Sequence, residues 1–264
     1  MAAALPLAHL LAEVEQLAAA AGERIMTLYE SGCAVERKAD ASPVTAADRE
    51  SEALILKRLG ELTPEIPILS EEASAAGNAP KAGRRFWLVD PLDGTREFCA
   101  RIGEFTVNIA LIEEGAPVLG VVHLPVPGET YAAHGAGTAI RRTKAGVAPI
   151  AARAPAGDGL VMLTSRFHSD EASLAAFLER YLARTGERIK DRTRAGSALK
   201  FCLLAAGEAD IYPRMGPTME WDTAAGHALV LAAGGSFETL EGAAFVYGKP
   251  GLRNSGFIVR GRRS

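Results

Sequence analysis

Asp90 and Asp93 are the residues best placed to do chemistry, because of what surrounds them. They sit in Trp87-Leu88-Val89-Asp90-Pro91-Leu92-Asp93-Gly94-Thr95-Arg96-Glu97-Phe98. The apolar run before them reads as a buried strand that delivers Asp90 at its end. Pro91 forces Asp90 out of helical geometry. Gly94 lets the chain turn sharply and approach a ligand closely. Thr95 can begin a helix-like turn whose free N–H groups suit a phosphate. Two carboxylates three residues apart on such a bend can face one point. Desolvated together they need neutralising, and hard divalent cations with oxygen ligands do that well. Alone, the same pattern also describes a loop in which Asp90 caps one turn and Asp93-Gly94 forms another.

Other acids bear on the choice. Ser70-Glu71-Glu72 ends a short apolar run over 66–69, although by itself it reads as solvated loop charge. Trp221-Asp222-Thr223-Ala224-Ala225-Gly226 opens a helix of small residues, where Asp222 alone is an ordinary acid favoured by the helix dipole. Thr45 and Asp48 form a capping-box-like pair at the start of a helix reaching about residue 59.

The elements that must position these acids follow from periodicity. Leu7, Leu10, Leu11, Val14, Leu17, Ala18, Ala21, Ile25 and Leu28 recur at helical spacing and predict an amphipathic first helix. Its Ala/Leu-rich start resembles a signal peptide, but it has no basic leader, and Glu13 and Glu15 interrupt it. A short strand is expected over 33–37, a polar loop or hairpin over 38–44, and a loop over 74–83. A strand covers 86–89, and a hairpin joins 106–112 to 118–124. Strands follow at 160–164, 188–190, 210–212 and 257–259, with helices at 170–184, 197–206 and 222–233. Gly234-Gly235 is the expected end of the last helix. Residues 141–159 mix basic residues, Ala, Pro and Gly and are the best candidate boundary. The pattern is mixed α/β with stacked layers.

Composition excludes several classes. At 264 residues with 48% hydrophobic content, the chain can bury a sizeable core without staples. A formal charge of -3 gives no electrostatic case for binding nucleic acid or an anionic membrane. No other stretch is apolar and long enough to span a membrane. Cys33, Cys99 and Cys202 are odd in number and widely spaced, and read as reduced thiols of a cytoplasmic protein. Phosphate-loop, dinucleotide, HExxH and GxSxG motifs are absent, and the five histidines lack zinc-ligand spacing.

Taken together, Asp90-Pro91-Leu92-Asp93-Gly94-Thr95 and Trp221-Asp222-Thr223-Ala224-Ala225-Gly226 resemble the inositol monophosphatase superfamily of magnesium-dependent, lithium-sensitive phosphatases. Pro43-Val44-Thr45-Ala46-Ala47-Asp48 and Leu69-Ser70-Glu71-Glu72 extend the resemblance, with all four motifs in the family's order. Within it, the chain is similar to the CysQ-like 3'(2'),5'-bisphosphate nucleotidases. That likeness rests on Gly103-Glu104-Phe105-Thr106-Val107-Asn108-Ile109-Ala110, Gly196-Ser197-Ala198-Leu199-Lys200-Phe201-Cys202 and Ile211-Tyr212-Pro213-Arg214-Met215-Gly216-Pro217-Thr218. Ala198 departs from the second Ser that many such proteins carry.

The resemblance implies a layered α-β-α-β-α sandwich of the inositol monophosphatase / fructose-1,6-bisphosphatase type. It implies an N-terminal metal-binding subdomain over 1–145 and a C-terminal subdomain over 146–264 that completes the site with Asp222. Glu71, Asp90 and the Leu92 carbonyl would hold one Mg2+, and Asp90, Asp93 and Asp222 a second. Glu71 would also reach a third through water. Asp48 and Thr95 would orient the attacking water and take its proton, with Glu71 beside them. The Gly94 and Thr95 N–H groups would hold the phosphate, next to Asp222. No protein cation is expected at the chemical centre. Ser197, Lys200 and Arg214 would meet the second phosphate and the nucleoside, with His168 a further candidate. The implied substrate is a phosphorylated nucleotide, adenosine 3',5'-bisphosphate or its sulfated form, and the implied pathway is sulfur metabolism. Homodimers and peripheral association with the inner face of the cell membrane are compatible with this reading. An inositol- or sugar-phosphate monophosphatase is the alternative. A non-catalytic metal-binding regulatory protein is a remoter one, because all four acids and Thr95 are present.

Overall fold

The computed structural model describes residues 5–32, 34–37, 43–78, 80–167 and 170–262. Helix α1 (Leu7–Ser31) buries Leu10, Leu11, Val14, Leu17, Ala18, Ala21 and Ile25, the expected stripe. Strands β1 (Val35–Arg37) and β2 (Pro43–Thr45) form a hairpin leading into α2 (Ala46–Leu62). Thr45 is the N-cap of α2: its hydroxyl accepts the Ala47 N–H, and its own N–H donates to Asp48 Oδ2 at 2.7 Å. The capping box is therefore real. Cys33 and residues 38–42 of the expected loop lie outside the described residues; Cys99 and Cys202 are free thiols.

Strand β3 (Ile68–Ser70) is followed by α3 (Glu71–Ala75), β4 (Arg85–Asp93), α4 (Thr95–Cys99), β5 (Thr106–Glu113) and β6 (Ala116–Leu124). The sheet does not stop at the expected hairpin. It continues through β7 (Glu129–Ala133), β8 (Ile140–Thr143) and β9 (Gly146–Pro149), giving seven strands in the order β3-β4-β5-β6-β7-β8-β9. Thr143 pairs with Gly146, so the expected division after residue 145 falls inside a hairpin turn. Helix α3 likewise enters the segment read as a loop, because five residues are too few to show a period.

The second half contains β10 (Leu160–Ser165), α5 (Glu171–Thr185), β11 (Ile189–Ala195), α6 (Leu199–Ala205), β12 (Ile211–Arg214), β13 (Thr218–Met219), α7 (Ala224–Ala232), β14 (Ser236–Thr239), β15 (Arg253–Asn254) and β16 (Phe257–Arg260). Five of these strands form a sheet in the order β11-β10-β12-β16-β14, while β13 pairs with β15. Helices α6 and α7 each begin two residues later than expected. Ser197 sits at φ +48°, outside helical space, and Asp222 uses its side chain to close a turn onto the Met219 N–H.

Strand alternation sorts the layers. Trp87, Val89, Val107, Ile109, Leu111, Leu119 and Val121 face one way and pack with the stripe of α1 and with Ile55 and Leu59 of α2. Phe86, Leu88, Ala110, Ile112, Val122 and Leu124 face the other way, toward Phe201, Leu204, Ala225 and Leu229 of α6 and α7. The second sheet lies beyond those helices through Leu163, Phe237, Phe257 and Val259. Its far face packs Leu160, Met162, Ile211 and Ile258 against Phe177, Tyr181 and Leu182 of α5. This is the α-β-α-β-α sandwich. A Cβ on Gly226 would lie 2.3 Å from the Phe201 ring, so the small residues after Trp221 let the middle helices pack closely. Among the described residues no helix is long and apolar enough to cross a membrane.

Candidate active site

The acids converge through strand direction and one irregularity. β3 and β4 run parallel, with Ser70 opposite Val89, so Glu71, the first residue after β3, comes next to Asp90 of β4. Residues three apart on a regular strand face opposite sides. Here Asp90 pairs with Asn108 and Asp93 with Thr106, so β4 carries one extra residue between them. That bulge puts both carboxylates on one face, the face turned toward α6 and α7. Pro91, which has no N–H for the ladder, sits inside it. Gly94 then turns at φ +93°, where a Cβ would stand 3.2 Å from Ser197 Cβ. Asp222 arrives from the opposite layer, just before α7.

These elements enclose a cleft of about 280 Å³. Glu71, Asp90, Leu92, Asp93, Gly94, Thr95, Ser197, Lys200, Arg214 and Asp222 all line it. Asp48 does not, but it accepts the Thr95 hydroxyl proton on Oδ1 at 3.1 Å. Its other oxygen takes the Thr45 N–H and hydroxyl, each at 2.7 Å. Burial pushes the Asp48 carboxyl above its ordinary range, opposed by the hydrogen bonds from Thr45 and Thr95. His168 lies outside the described residues.

The cleft acids are electrostatically crowded. Burial raises the Asp93 carboxyl, against the pull of nearby Lys200. Asp222 is pushed well above the usual range, by burial first and then by the charges of Asp93 and Glu71. Among the described residues no three acidic, His or Cys side chains stand as a closed metal cage. Asp93 Oδ2 instead takes Asn108 Nδ2 at 3.3 Å, and Asp222 Oδ2 takes the Met219 N–H at 2.7 Å. The donor set nevertheless fits a hard divalent cation: every ligand candidate is an oxygen, and the acids repel one another until a cation joins them.

Lys200 brings a buried cation close to the acids. It donates to the carbonyls of Ala195 and Ser197, and its charge acts on Asp93. Burial lowers its ammonium to about 8. Ser197 is held in its left-handed turn with its hydroxyl 2.6 Å from that of Thr106. Arg214 is half-buried, with Nε 3.4 Å from the Gly216 carbonyl.

Sequence reasoning missed the polar row behind the acids. Glu104 takes Arg166 on both oxygens, at 2.9 and 2.6 Å, and the Gly196 N–H at 2.7 Å. Thr106 and Asn108 continue that row beside Ser197 and Asp93. The available signal was polar side chains at alternate positions in the otherwise apolar run at 104–110.

The inositol monophosphatase family profile matches residues 7–260. The chain belongs to the inositol monophosphatase family. Members of this family are metal-dependent phosphatases, generally with Mg2+. A similar relative is the 3'(2'),5'-bisphosphate nucleotidase CysQ of Salmonella typhimurium, 47% identical over 95% of this chain and 99% of that protein. The protein of the same name from Escherichia coli K12 is 45% identical over 95% of this chain and 99% of that protein. The crystal structure of CysQ from Bacteroides thetaiotaomicron superposes with a TM-score of 0.79 at 34% identity, covering 98% of each chain. An IMPase from Thermotoga maritima superposes at 0.74 with 27% identity, covering 94% of this chain and 90% of that one. The family fold is thus common to both kinds of protein, and the identity leans toward the first.

Proposed function

We propose that this chain is a 3'(2'),5'-bisphosphate nucleotidase. It removes the 3'-phosphate of adenosine 3',5'-bisphosphate to give AMP and phosphate, and acts likewise on the sulfated nucleotide. The observation that carries this reading is one cleft lined by the four acids and also by Lys200 and Arg214. A substrate with a second phosphate calls for cations beyond those that neutralise the reacting one.

Glu71, Asp90 and the Leu92 carbonyl are assigned to one Mg2+, and Asp90, Asp93 and Asp222 to a second, with Glu71 also within reach of a third through water. When bound, Mg2+ neutralises phosphate charge and lowers the pKa of the attacking water. Thr95 Oγ1 donates to Asp48, which leaves its lone pairs to accept a proton from that water. Asp48 Oδ1 in turn accepts the Thr95 proton, while Thr45 holds the opposite oxygen fixed. The N–H groups of Gly94 and Thr95, at the start of α4, hold phosphate oxygens. As the new P–O bond forms, the bond to the 3'-oxygen breaks, and that oxygen takes a proton from solvent. Ser197, Lys200 and Arg214 meet the phosphate that is kept. Residues 1–145 supply most of the metal ligands, while 146–264 supply Asp222 and the substrate side. The protein works in the cytoplasm on a small-molecule substrate.

Phosphate release from adenosine 3',5'-bisphosphate, inositol 1-phosphate and fructose 1,6-bisphosphate at one Mg2+ concentration tests the reading. The nucleotide should lead in kcat/KM. If inositol 1-phosphate leads instead, the inositol phosphatase reading replaces this one.

A further inference from the structure

Helix α2 carries three buried polar side chains at positions i, i+3 and i+4, which share one helix face. Each holds a different part of the cleft. Asp48 takes Thr95. Ser51 Oγ donates to the Pro91 carbonyl, inside the bulge, at 2.9 Å. Glu52 Oε1 accepts the N–H groups of Glu72 and Ala73 at 3.0 and 3.2 Å.

The third contact has no local substitute. The first N–H groups of a helix lack partners within it, and α3 begins at Glu71. Ser70 occupies its N-cap position but makes no capping bond, and its buried hydroxyl has no hydrogen-bond partner. Glu52, 8% exposed, caps α3 from another helix. Without that cap, the first turn of α3 would lose its two hydrogen bonds to α2.

We propose that Glu52 is a positioning residue: it fixes the start of α3 and so sets the place of the Glu71 carboxylate for Mg2+. This rests on the assignment of Glu71 as a ligand. Glu52 is not among the side chains that line the cleft, so its part is to hold the backbone that carries Glu71.

The test is calorimetric titration of Mg2+ into the substrate-free protein, with melting temperatures measured alongside. Glu71→Gln is the reference and should bind Mg2+ more weakly. Glu52→Ala should weaken Mg2+ binding about 10- to 100-fold, the usual effect of losing a group that orients a ligand. Glu52→Gln keeps an acceptor oxygen and should stay within about threefold of wild type. If Glu52→Ala does not fold, Glu52→Asp, shorter by one methylene, should show the weakening. Wild-type affinity in Glu52→Ala, or in Glu52→Asp where that is the variant that folds, beside a weakened Glu71→Gln overturns the proposal alone. So does a Glu52→Gln variant as weak as Glu52→Ala. Wild-type affinity in Glu71→Gln removes the ligand assignment and the Glu52 proposal with it.

Discussion

Glu220 and Asp222 lie two residues apart and are treated in opposite ways by the fold. Glu220 is 0% exposed, and the chain satisfies it fully. Its oxygens accept the N–H groups of Gly248 and Lys249 at 2.8 and 3.0 Å and face the Lys249 ammonium at 2.7 Å. Asp222 accepts the Met219 N–H and is repelled by Asp93 and Glu71. The same contrast separates Glu52, committed to two N–H groups, from Asp93, left beside other acids. Acids saturated by the chain hold the structure. Acids crowded together are kept for a cation from outside.

Removing a crowded charge should destroy function and spare the fold. Asp93→Asn should lower kcat/KM about a thousandfold, with a melting temperature equal to or above wild type in metal-free buffer, because a repulsion is relieved. Near-wild-type turnover in Mg2+ would break the comparison at its functional end.

Removing a saturated charge should do the reverse. Glu220→Gln should cost about 2–3 kcal/mol of stability in denaturant titration, as expected for hydrogen bonds to a charged group. Activity at low temperature should persist. A stability loss below the error of the titration would mean that saturation is not what marks a structural acid.

The two cations of the cleft sharpen the picture. Arg214→Met and Lys200→Met should each reduce kcat/KM for adenosine 3',5'-bisphosphate more than for inositol 1-phosphate, about 10- to 150-fold in the ratio, mainly through KM. Parallel falls on both substrates would show a general role, which the burial of Lys200 beside Asp93 makes a sharper question for Lys200 than for Arg214.

A smaller effect concerns neutral groups that the fold saturates near Glu220. His227 Nδ1 lies 3.0 Å from the Tyr247 hydroxyl, and burial, aided by Lys249, holds its imidazole down at about 3. Burial likewise lowers His123 to about 4. Above an ordinary value of about 6.5 both states are neutral, so this stability is fully present. As pH falls below that, the unfolded chain takes protons that the folded chain refuses. Each histidine should therefore remove about 2 kcal/mol between pH 7 and pH 5. His227→Gln should flatten that part of the stability–pH curve if it folds, and an unchanged slope would count against the assignment.

Much of this was legible because it is local. The Thr45–Asp48 capping box, the turn at Gly94 and the 106–124 hairpin depend on neighbours in sequence. What could not be read depends on distant pairing. The Ser51–Pro91 contact joins residues 40 apart, and Glu104 reaches Gly196 across 92. Strands β8 and β9 are four residues each at the end of the sheet and bury none of them fully, so they carry no buried alternation. Ser197 misled because its neighbours favour a helix, while Lys200 and Thr106 hold it outside one.

The extra residue between Asp90 and Asp93 acts as a phase slip of half a pleat. Its consequence is that the way this segment pairs matters as much as its composition. Pairing these four residues regularly, with none bulged out, would swing one carboxylate to the side occupied by α1 and α2, with every acid still present in the sequence. Grafting this centre onto another sheet would therefore mean transplanting the slip itself, since the acids alone would land back to back.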